Sequence, residues 1–301
     1  MSDDALDTLF TVRDWLRYAV SRFQAAGLVY GHGTTSALDE AAFLILHTLH
    51  LPIDQLEPWL DARLVRDERA AVAAIIDKRI TTRKPAPYLT NEAWIQGHAF
   101  YVDERVIVPR SYLGELLHMG LDGVIERPDA IASILDLCTG SGCLAILAAL
   151  AFPQAEVDAV DLSPDALEVA QRNVADYGLD SQVALVQSDL FAGLGDKRYD
   201  LILTNPPYVS AEAVAAFPPE YAAEPVLAHA GGDDGLDIVR RILAEAPRHL
   251  APEGHLIVEF GSGREILEAE YPDLPFLWLD TANAQGEVFA LSAEALQSAE
   301  S

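Results

Sequence analysis

The chain is constrained most by a repeated pattern in which short apolar segments end in polar residues and alternate with helical stretches. Four such segments follow one another, at residues 134–137, 156–161, 183–186 and 199–204. They predict buried parallel strands, because the stretches between them suit crossover helices. Open α/β sheets bind ligands at the carboxyl ends of their strands. The sequence therefore predicts an α/β fold with a mainly parallel sheet and a ligand crevice along one edge.

Further segments complete the predicted sheet and set the domain boundaries. Residues 255–260 predict a fifth strand, and residues 275–279 and 287–291 predict a closing pair joined through 283–286. We divide the chain into a helical N-terminal domain (1–90), a linking β-hairpin (91–110) and an α/β domain (111–301).

The predicted N-terminal domain contains three amphipathic helices. Apolar residues at helical spacing place the first over 10–23, the second over 36–49 and the third over 67–82. A basic stretch near the end of the third helix, Lys78-Arg79 and Arg83-Lys84, is interpreted as a solvated helix face. Contact with RNA is the alternative interpretation of this stretch.

A glycine-containing turn follows the first strand of the sheet. Gly140, Gly142 and Ala145 match the G-x-G-x-x-G/A pattern, and the residues from 144 to 152 predict a buried helix. Glycines allow close approach of a ligand, and a helix N-terminus presents free N–H groups to it. This match indicates a nucleoside-type ligand but does not identify which one.

The next two strands end in acidic residues. Asp161 lies about 20 residues beyond the glycine turn, where a carboxylate is expected to bind ribose hydroxyls. Asp189 is placed to accept a hydrogen bond from an adenine amino group, and Leu190 to cover the ring. Each aspartate taken singly is equally typical of a helix N-cap. The succession of polar strand ends favours a binding crevice.

The fourth strand ends in Asn205-Pro206-Pro207-Tyr208, the most informative motif of the chain. The Asn205 side chain and the Pro206 carbonyl offer two acceptors on a stiff support, because proline fixes φ and restricts the residue before it. Two such acceptors suit the two hydrogens of a planar NH₂ group. The motif therefore predicts methyl transfer to an amino or amide nitrogen.

These motifs together resemble the class I S-adenosylmethionine-dependent methyltransferases, whose fold is a Rossmann-like, mainly parallel seven-stranded sheet, and in particular the N(5)-glutamine methyltransferases. Residues 84–90, 105–111, 224–228 and 231–237 resemble further markers of that family. Val108-Pro109-Arg110-Ser111 resembles the branch that modifies ribosomal protein L three. The release-factor branch usually carries Pro-Glu-Thr after the arginine. The chain departs from the commonest pattern at Cys138, where many relatives have glycine.

The resemblance implies specific roles for residues of the crevice. It implies catalytic roles for Asn205, Pro206, Pro207 and Tyr208. It implies S-adenosylmethionine contacts for Asp136, Cys138, Thr139, Gly140, Ser141, Gly142, Asp161, Leu162, Asp189, Leu190 and Asn205, and no metal site. Arg110 either orients the cofactor or a loop, or forms a salt bridge with the acidic half of the chain.

Net charge and cysteine content narrow the classes of partner that this chain can bind. The net charge is −27, and the 105 N-terminal residues carry 11 basic and 15 acidic side chains, so most of the negative charge belongs to the rest. An acidic catalytic half repels a phosphate backbone and attracts a basic ribosomal protein, although ordinary acidic solubility is almost as good an explanation. The first residues lack a basic and apolar leader, and two cysteines make no disulfide framework. We therefore expect a cytoplasmic protein with a large-subunit ribosomal protein as substrate and no membrane partner.

Three alternatives remain open from the sequence. The same reaction on a release factor is the first. A non-catalytic ribosome-assembly factor that keeps the cofactor site as a relic is the second. A nicotinamide-dependent dehydrogenase is the least favoured, since that chemistry makes no use of Asn-Pro-Pro-Tyr.

Overall fold

The computed structural model describes residues 3–261, 263–282 and 284–299 of the 301-residue chain. Within this part the chain forms two compact units. One comprises the residues up to Ala93 together with Phe217–Ala223, and the other comprises Trp94–Ala216 together with the residues from Glu224 onward. The predicted boundary near residue 90 does not anticipate the segment 217–223, because a boundary drawn along the sequence cannot describe a discontinuous unit.

The first unit contains five helices: α1 (Asp3–Thr8), α2 (Val12–Ala25), α3 (Ala37–Thr48), α4 (Arg66–Thr82) and α5 (Ala86–Thr90). Thr11 begins α2 through a capping box with Asp14, and Ser36 caps α3. The helices enclose an apolar core whose largest fully buried side chains include Trp15, Phe23, Leu44, Ile45 and Ile76. The three predicted helices are confirmed, and α1 and α5 are additional helices that the sequence pattern does not indicate.

The basic stretch at the end of α4 is not the solvated face that the sequence predicts. Arg79 is completely buried, and its Nε donates to Glu40 Oε1 at 2.7 Å. Its other two nitrogens donate to the backbone carbonyls of Arg83 and Val29. The Arg83 guanidinium forms a 2.6 Å ion pair with the buried Glu220 of the segment 217–223. The prediction is wrong for Arg79 because the carboxylate that makes burial tolerable lies on another helix, 39 residues earlier.

The second unit begins with strands that form a hairpin, β1 (Glu92–Ile95), whose last two residues belong to this unit, and β2 (His98–Tyr101). The main sheet follows, with the elements α6 (Leu113–His118), β3 (Ser133–Leu137), α7 (Cys143–Ala151), β4 (Glu156–Asp161), α8 (Pro164–Asp176), β5 (Val183–Gln187), β6 (Tyr199–Thr204), α9 (Ala211–Ala215), α10 (Asp237–His249), β7 (Leu250–Glu259), α11 (Arg264–Glu270), β8 (Leu277–Leu279), β9 (Val288–Ser292) and α12 (Ala293–Ala299). Seven strands form this sheet in the order β5-β4-β3-β6-β7-β9-β8. The predicted seven-stranded, mainly parallel α/β sheet is confirmed.

Strand β3 lies where the order of the sheet reverses. The chain runs from β3 outward through β4 to β5, and then returns to the other side of β3 to add β6 and β7. All five strands are parallel, so their carboxyl ends meet at one edge. Alternate residues of β3 and β6 enter separate apolar cores on the two faces of the sheet. The crevice at this reversal is the expected ligand site of an open α/β sheet.

The last parallel strand is longer than the sequence predicts. The predicted strand begins at residue 255, whereas β7 begins at Leu250 and includes Pro252 and Gly254. These two residues are typical of turns, and the pairing of β7 with β6 is irregular beside them. The predicted closing pair is confirmed as β8 and β9, which are antiparallel. Asn283, in the predicted connection between them, lies outside the described residues.

Among the described residues, no helix combines the length and the apolar character that a bilayer span requires.

Candidate active site

The carboxyl ends of β3, β4, β5 and β6 meet at one cavity in the second unit. Several residues predicted to bind the cofactor line it: Cys138, Gly140, Asp161, Leu162, Asp189, Leu190 and Asn205. Pro207 of the Asn-Pro-Pro-Tyr motif lines it as well. Pro225, Leu227 and Ala228, from the long connection after β6, also contribute to its wall. The structure therefore brings together residues that the sequence places at four separate strand ends.

Asp136 lies behind the wall of this cavity, near the end of β3. Its carboxyl is fully buried, and Oδ2 accepts from Thr139 Oγ1 at 2.6 Å and from the Ala145 amide at 3.0 Å. Oδ1 has no hydrogen-bond partner within the described part of the chain. Burial raises the pKa of this carboxyl to about 7. A buried acceptor without a partner fits a ligand that brings a hydrogen-bond donor or a positive charge.

The remaining residues of the glycine loop shape its backbone. The carbonyl of Ser141 accepts from the buried Asn173 side chain at 2.8 Å. Gly142 lies so close to α8 that a Cβ atom there would be 3.1 Å from the Cβ of Ala170. Cys138 has a φ of 60°, in the left-handed region that glycine adopts without strain. Thr139, Ser141 and Gly142 are thus placed to hold the loop rather than to line the cavity.

Asp161, the last residue of β4, connects the glycine loop to the following helix. Its Oδ2 accepts from the Gly140 amide at 2.8 Å, and its Oδ1 accepts from the Ser163 amide at 2.9 Å. Ser163, and not Asp161, caps α8 through a hydrogen bond to the Ala166 amide. Each carboxylate oxygen keeps a further lone pair that can accept from a ligand hydroxyl. The alternative interpretation of Asp161 as a helix cap is therefore wrong.

Asp189 and Leu190 follow β5 at the same edge. Leu190 is buried and lines the cavity. Its φ of 47° turns the backbone sharply at this point. Asp189 is half exposed, and one of its oxygens accepts from Arg241 Nη2 at 2.9 Å. The Arg241 contact was not predicted, and it leaves the second carboxylate oxygen available to a ligand.

The Asn-Pro-Pro-Tyr motif continues directly from β6. Thr204 Oγ1 donates to the Leu137 carbonyl at 2.9 Å, which joins the ends of β6 and β3. The Asn205 side chain is partly exposed at the cavity, and Nδ2 donates to Glu259 Oε1 at 3.0 Å. The Tyr208 ring packs on Gly261, where a Cβ atom would lie 2.8 Å from ring carbon Cδ2. Tyr208 thus supports the loop, Asn205 and Pro207 line the cavity, and Pro206 is buried between these two.

The segment 231–235 is rich in glycine because it packs closely against the backbone of the Asn-Pro-Pro-Tyr loop. A Cβ atom on Gly231 would lie 2.8 Å from the Pro207 carbonyl oxygen and from Tyr208 Cα, and one on Gly235 would overlap the Tyr208 carbonyl. The Val209 amide donates to the His229 carbonyl and the Gly231 amide donates to Val209, so the two segments run side by side. The absence of side chains at these glycines lets the backbone support the Asn-Pro-Pro-Tyr loop closely.

Arg110 forms the salt bridge that was one of its two sequence interpretations. Its guanidinium donates to both oxygens of Glu224 at 2.6 and 2.9 Å, and the Val108 amide donates to the same carboxylate. Glu224 is buried, and Pro225 after it lines the cavity. A bidentate guanidinium pair of this kind is geometrically specific. Arg110 therefore fixes the start of the cavity-lining segment 225–228.

Sequence reasoning missed Glu259 and Ser111. Glu259 is the last residue of β7 and is 1% exposed. Its Oε2 accepts from Ser111 Oγ at 2.5 Å and from the Tyr112 amide at 2.8 Å. Burial raises the pKa of its carboxyl to about 7. The strand-end rule that identified Asp161 and Asn205 also applies to Glu259, because the fifth predicted strand ends beside it.

Known proteins match nearly the whole of this chain. Residues 123–217 match the family model of the methyltransferase small domain. The ribosomal protein uL3 glutamine methyltransferase of Bradyrhizobium diazoefficiens is 58% identical over 95% of this chain and 91% of its own length. The enzyme of the same name from Burkholderia pseudomallei is 57% identical over 95% of both chains.

A solved structure supports the fold at lower identity. The hMettl16 catalytic domain, crystallised in complex with MAT2A 3′UTR hairpin 6, superposes with a TM-score of 0.50 and 15% identity over 75% of this chain and 80% of that one. At this identity the likeness concerns the fold alone. Since more than half of the residues are shared with the uL3 enzymes over 95% of its length, this chain belongs to the S-adenosylmethionine-dependent protein-glutamine methyltransferases, in the ribosomal protein uL3 branch.

Proposed function

We propose that this protein transfers a methyl group from S-adenosylmethionine to the side-chain amide nitrogen of a glutamine in ribosomal protein uL3, the large-subunit protein L three. The observation that carries the proposal is the position of Asn205 in the lining of the strand-end cavity, together with the residues suited to the cofactor. The names of the relatives at 57–58% identity support the choice of substrate.

The cofactor is S-adenosylmethionine, which supplies a reactive sulfonium methyl group when bound. The residues of the crevice fit it, and we assign their roles from their positions. The Asp161 oxygens accept from the ribose hydroxyls, Asp189 accepts from the adenine amino group, and Leu190 covers the ring. Asp136, whose Oδ1 has no partner among the described residues, lies behind the glycine loop and is assigned to the polar end of the cofactor. Gly140, at a φ of 55° with open space around it, lets the ligand approach the backbone.

The chemistry assigned to Asn205 follows from the nature of an amide. The amide nitrogen is a poor nucleophile, because its lone pair is delocalised into the carbonyl. Asn205 Oδ1 and the Pro206 carbonyl accept hydrogen bonds from the two N–H groups of the substrate amide. These bonds direct the amide nitrogen at the methyl group. Such orientation supplies roughly 7–11 kcal/mol in favourable cases. The same acceptors stabilise the positive charge that develops on nitrogen until the nitrogen releases a proton to water, and Pro207 and Tyr208 keep the loop in shape.

The partner and compartment follow from charge and from the substrate. The helical domain recognises the substrate protein in this proposal, and the acidic residues of the catalytic half attract its basic surface. The same charge disfavours nucleic acid as the main substrate. A ribosomal substrate supports a cytoplasmic location for the enzyme.

Radiolabelled S-adenosylmethionine provides the test. The purified protein is incubated in parallel with undermethylated ribosomal proteins, release factor and DNA. Label on uL3, mapped to one glutamine by mass spectrometry, supports the proposal. Label on release factor keeps the chemistry and overturns the substrate. Cofactor binding without label on any of the three would favour the assembly-factor alternative.

A further inference from the structure

The buried carboxylate of Glu259 is hydrogen-bonded to the side chain of Asn205. Glu259 ends β7, which pairs in parallel with β6, so its carboxyl group lies beside the residue that follows β6. Three donors converge on Oε2: the Ser111 hydroxyl at 2.5 Å, the Tyr112 amide at 2.8 Å and the Leu113 amide at 3.3 Å. Oε1 accepts from Asn205 Nδ2 at 3.0 Å.

This arrangement determines which way the Asn205 amide faces. The two ends of an asparagine amide have nearly the same shape, but one accepts and the other donates. An ionised carboxylate only accepts, so it stabilises the orientation in which NH₂ points towards it. The carbonyl oxygen then points away from Glu259. An asparagine turned the other way would present donors to a substrate NH₂ group, and no hydrogen bond would form.

We propose that Glu259 is a positioning residue that holds the Asn205 amide with its NH₂ group inward, so that Oδ1 faces the substrate amide. The inference rests on the proposed function. It identifies Glu259 as the residue that makes Asn205 present an acceptor, and not a donor, to the substrate NH₂ group. Ser111 belongs to the same device, because its hydroxyl and the two backbone amides occupy Oε2 and leave Oε1 for Asn205.

The protonation state of Glu259 is part of this arrangement. A proton on Oε1 would turn that atom into a donor, which would favour the reversed amide of Asn205. Burial, together with the nearby Glu287 carboxylate, raises the pKa of Glu259 to about 7, against the hydrogen bonds from Ser111, Tyr112 and Leu113 that lower it. The other titratable groups that its charge affects are Tyr112, Tyr208 and Cys143. The rate of methyl transfer should therefore fall as the pH is lowered through about 7.

The substitution Glu259→Gln tests the inference with almost no change of shape. The glutamine oxygen must accept from Ser111 and the backbone amides, which directs its NH₂ group at Asn205 and reverses the asparagine. We expect kcat to fall about 100-fold, as for loss of one oriented group in other active sites, while KM and cofactor affinity stay within about twofold. The variant should also lose the fall in rate near pH 7. Glu253→Gln, the same change at an exposed position of β7, is the matched control.

A compensating variant distinguishes orientation from a general structural effect. In Asn205→Asp combined with Glu259→Gln, the glutamine NH₂ group donates to one oxygen of the aspartate, and the other oxygen is free to accept from the substrate. The pair keeps one negative charge in all. We expect the double variant to be at least about tenfold more active than Glu259→Gln alone. Asn205→Asp alone places two carboxylates face to face and should be less active than the double variant.

A kcat of Glu259→Gln within about threefold of wild type would overturn the inference, and so would a double variant no more active than Glu259→Gln. The orientation is also read without turnover, from the side-chain NH₂ resonance of Asn205 in ¹⁵N-labelled protein, assigned by its absence in Asn205→Asp. Its protons should exchange slowly in the wild type and rapidly in Glu259→Gln; equal exchange counts against the inference. If the wild type modifies no glutamine, the proposed function fails, and the resonance still decides the role of Glu259.

Discussion

Two carboxylates, Asp136 near the end of β3 and Glu259 at the end of β7, are equally buried but differ in their hydrogen-bond partners. Both are almost inaccessible to solvent, and burial raises the pKa of each to about 7. Both oxygens of Glu259 accept from protein groups, whereas Asp136 Oδ1 has no partner among the described residues. A carboxylate that is fully paired orients its neighbours. One that is half paired keeps capacity for a ligand.

The comparison separates the crevice into a cofactor side and a substrate side. Asp136, the glycine loop and Asp161 form the first, and Glu259 with the Asn-Pro-Pro-Tyr loop forms the second. If this division is correct, substitutions on one side should change binding and those on the other should change chemistry.

The largest effect is expected on the substrate side, from Asn205→Ala. Removing the acceptor should lower kcat at least about 1,000-fold, because the alanine offers nothing to orient the substrate nitrogen. Cofactor affinity, measured by calorimetry, should stay within about threefold. Methyl transfer near the wild-type rate in a single-turnover assay would contradict the role of Asn205. A large loss of cofactor affinity would contradict the division itself.

The second largest effect is the pH dependence that Asp136 gives to the stability of the cofactor-free protein. The folded pKa of Asp136, about 7, lies above the usual aspartate value of 3.8, so the folded state retains the proton more strongly. The stability that this group contributes is complete below about pH 4 and is lost as the pH rises through about 7. The loss is on the order of 4 kcal/mol at 1.36 kcal/mol per pKa unit.

Urea unfolding between pH 4 and pH 8 without cofactor measures this loss. Asp136→Asn should flatten the curve, because an amide does not ionise. An unchanged slope in the variant would mean that Asp136 is ionised throughout the range.

A smaller effect is expected from Asp161→Ala on the cofactor side. Loss of hydrogen bonds to a charged group costs about 1.5–3 kcal/mol, so cofactor affinity should fall about 10- to 150-fold. The rate at saturating cofactor should change much less than in Asn205→Ala. Asp165→Ala, which removes an exposed carboxylate at the start of α8, is the control and should bind normally. Unchanged calorimetric affinity in Asp161→Ala would remove ribose recognition from its assigned roles.

The smallest effect is expected from Cys138→Gly. The cysteine has a φ of 60°, which costs roughly 1–2 kcal/mol in a residue with a Cβ atom, while glycine adds entropy to the unfolded chain. The net result should be a stabilisation of about 0.5–1 kcal/mol, seen as a melting temperature a few degrees higher. Cys138→Ala keeps the strain and should show no such gain. Equal melting temperatures for the glycine and alanine variants would show that the loop carries no strain at this position.

Much of the crevice could be predicted from the sequence because its signals are local. Strand ends at Asp136, Asp161 and Asn205 each follow an apolar run, and glycines mark the turn between β3 and α7. Such patterns depend on residues within a few positions of one another. The same pattern, a polar residue at the end of an apolar strand, also identifies Glu259. The pattern does not identify Ser111 and Asn205 as the partners of Glu259, because they are distant in the sequence.

The sequence by itself determined the α/β class, the order of the strands along the chain and the polar residues at their ends, since these depend on short-range periodicity. Only the tertiary structure decided which polar residues face one another. Ser111 and Asn205 reach Glu259 across 148 and 54 residues, and Arg79 is buried against Glu40 of another helix. The physical reason is that a hydrogen bond or a buried ion pair requires a register between segments, and that register comes from sheet order and helix packing.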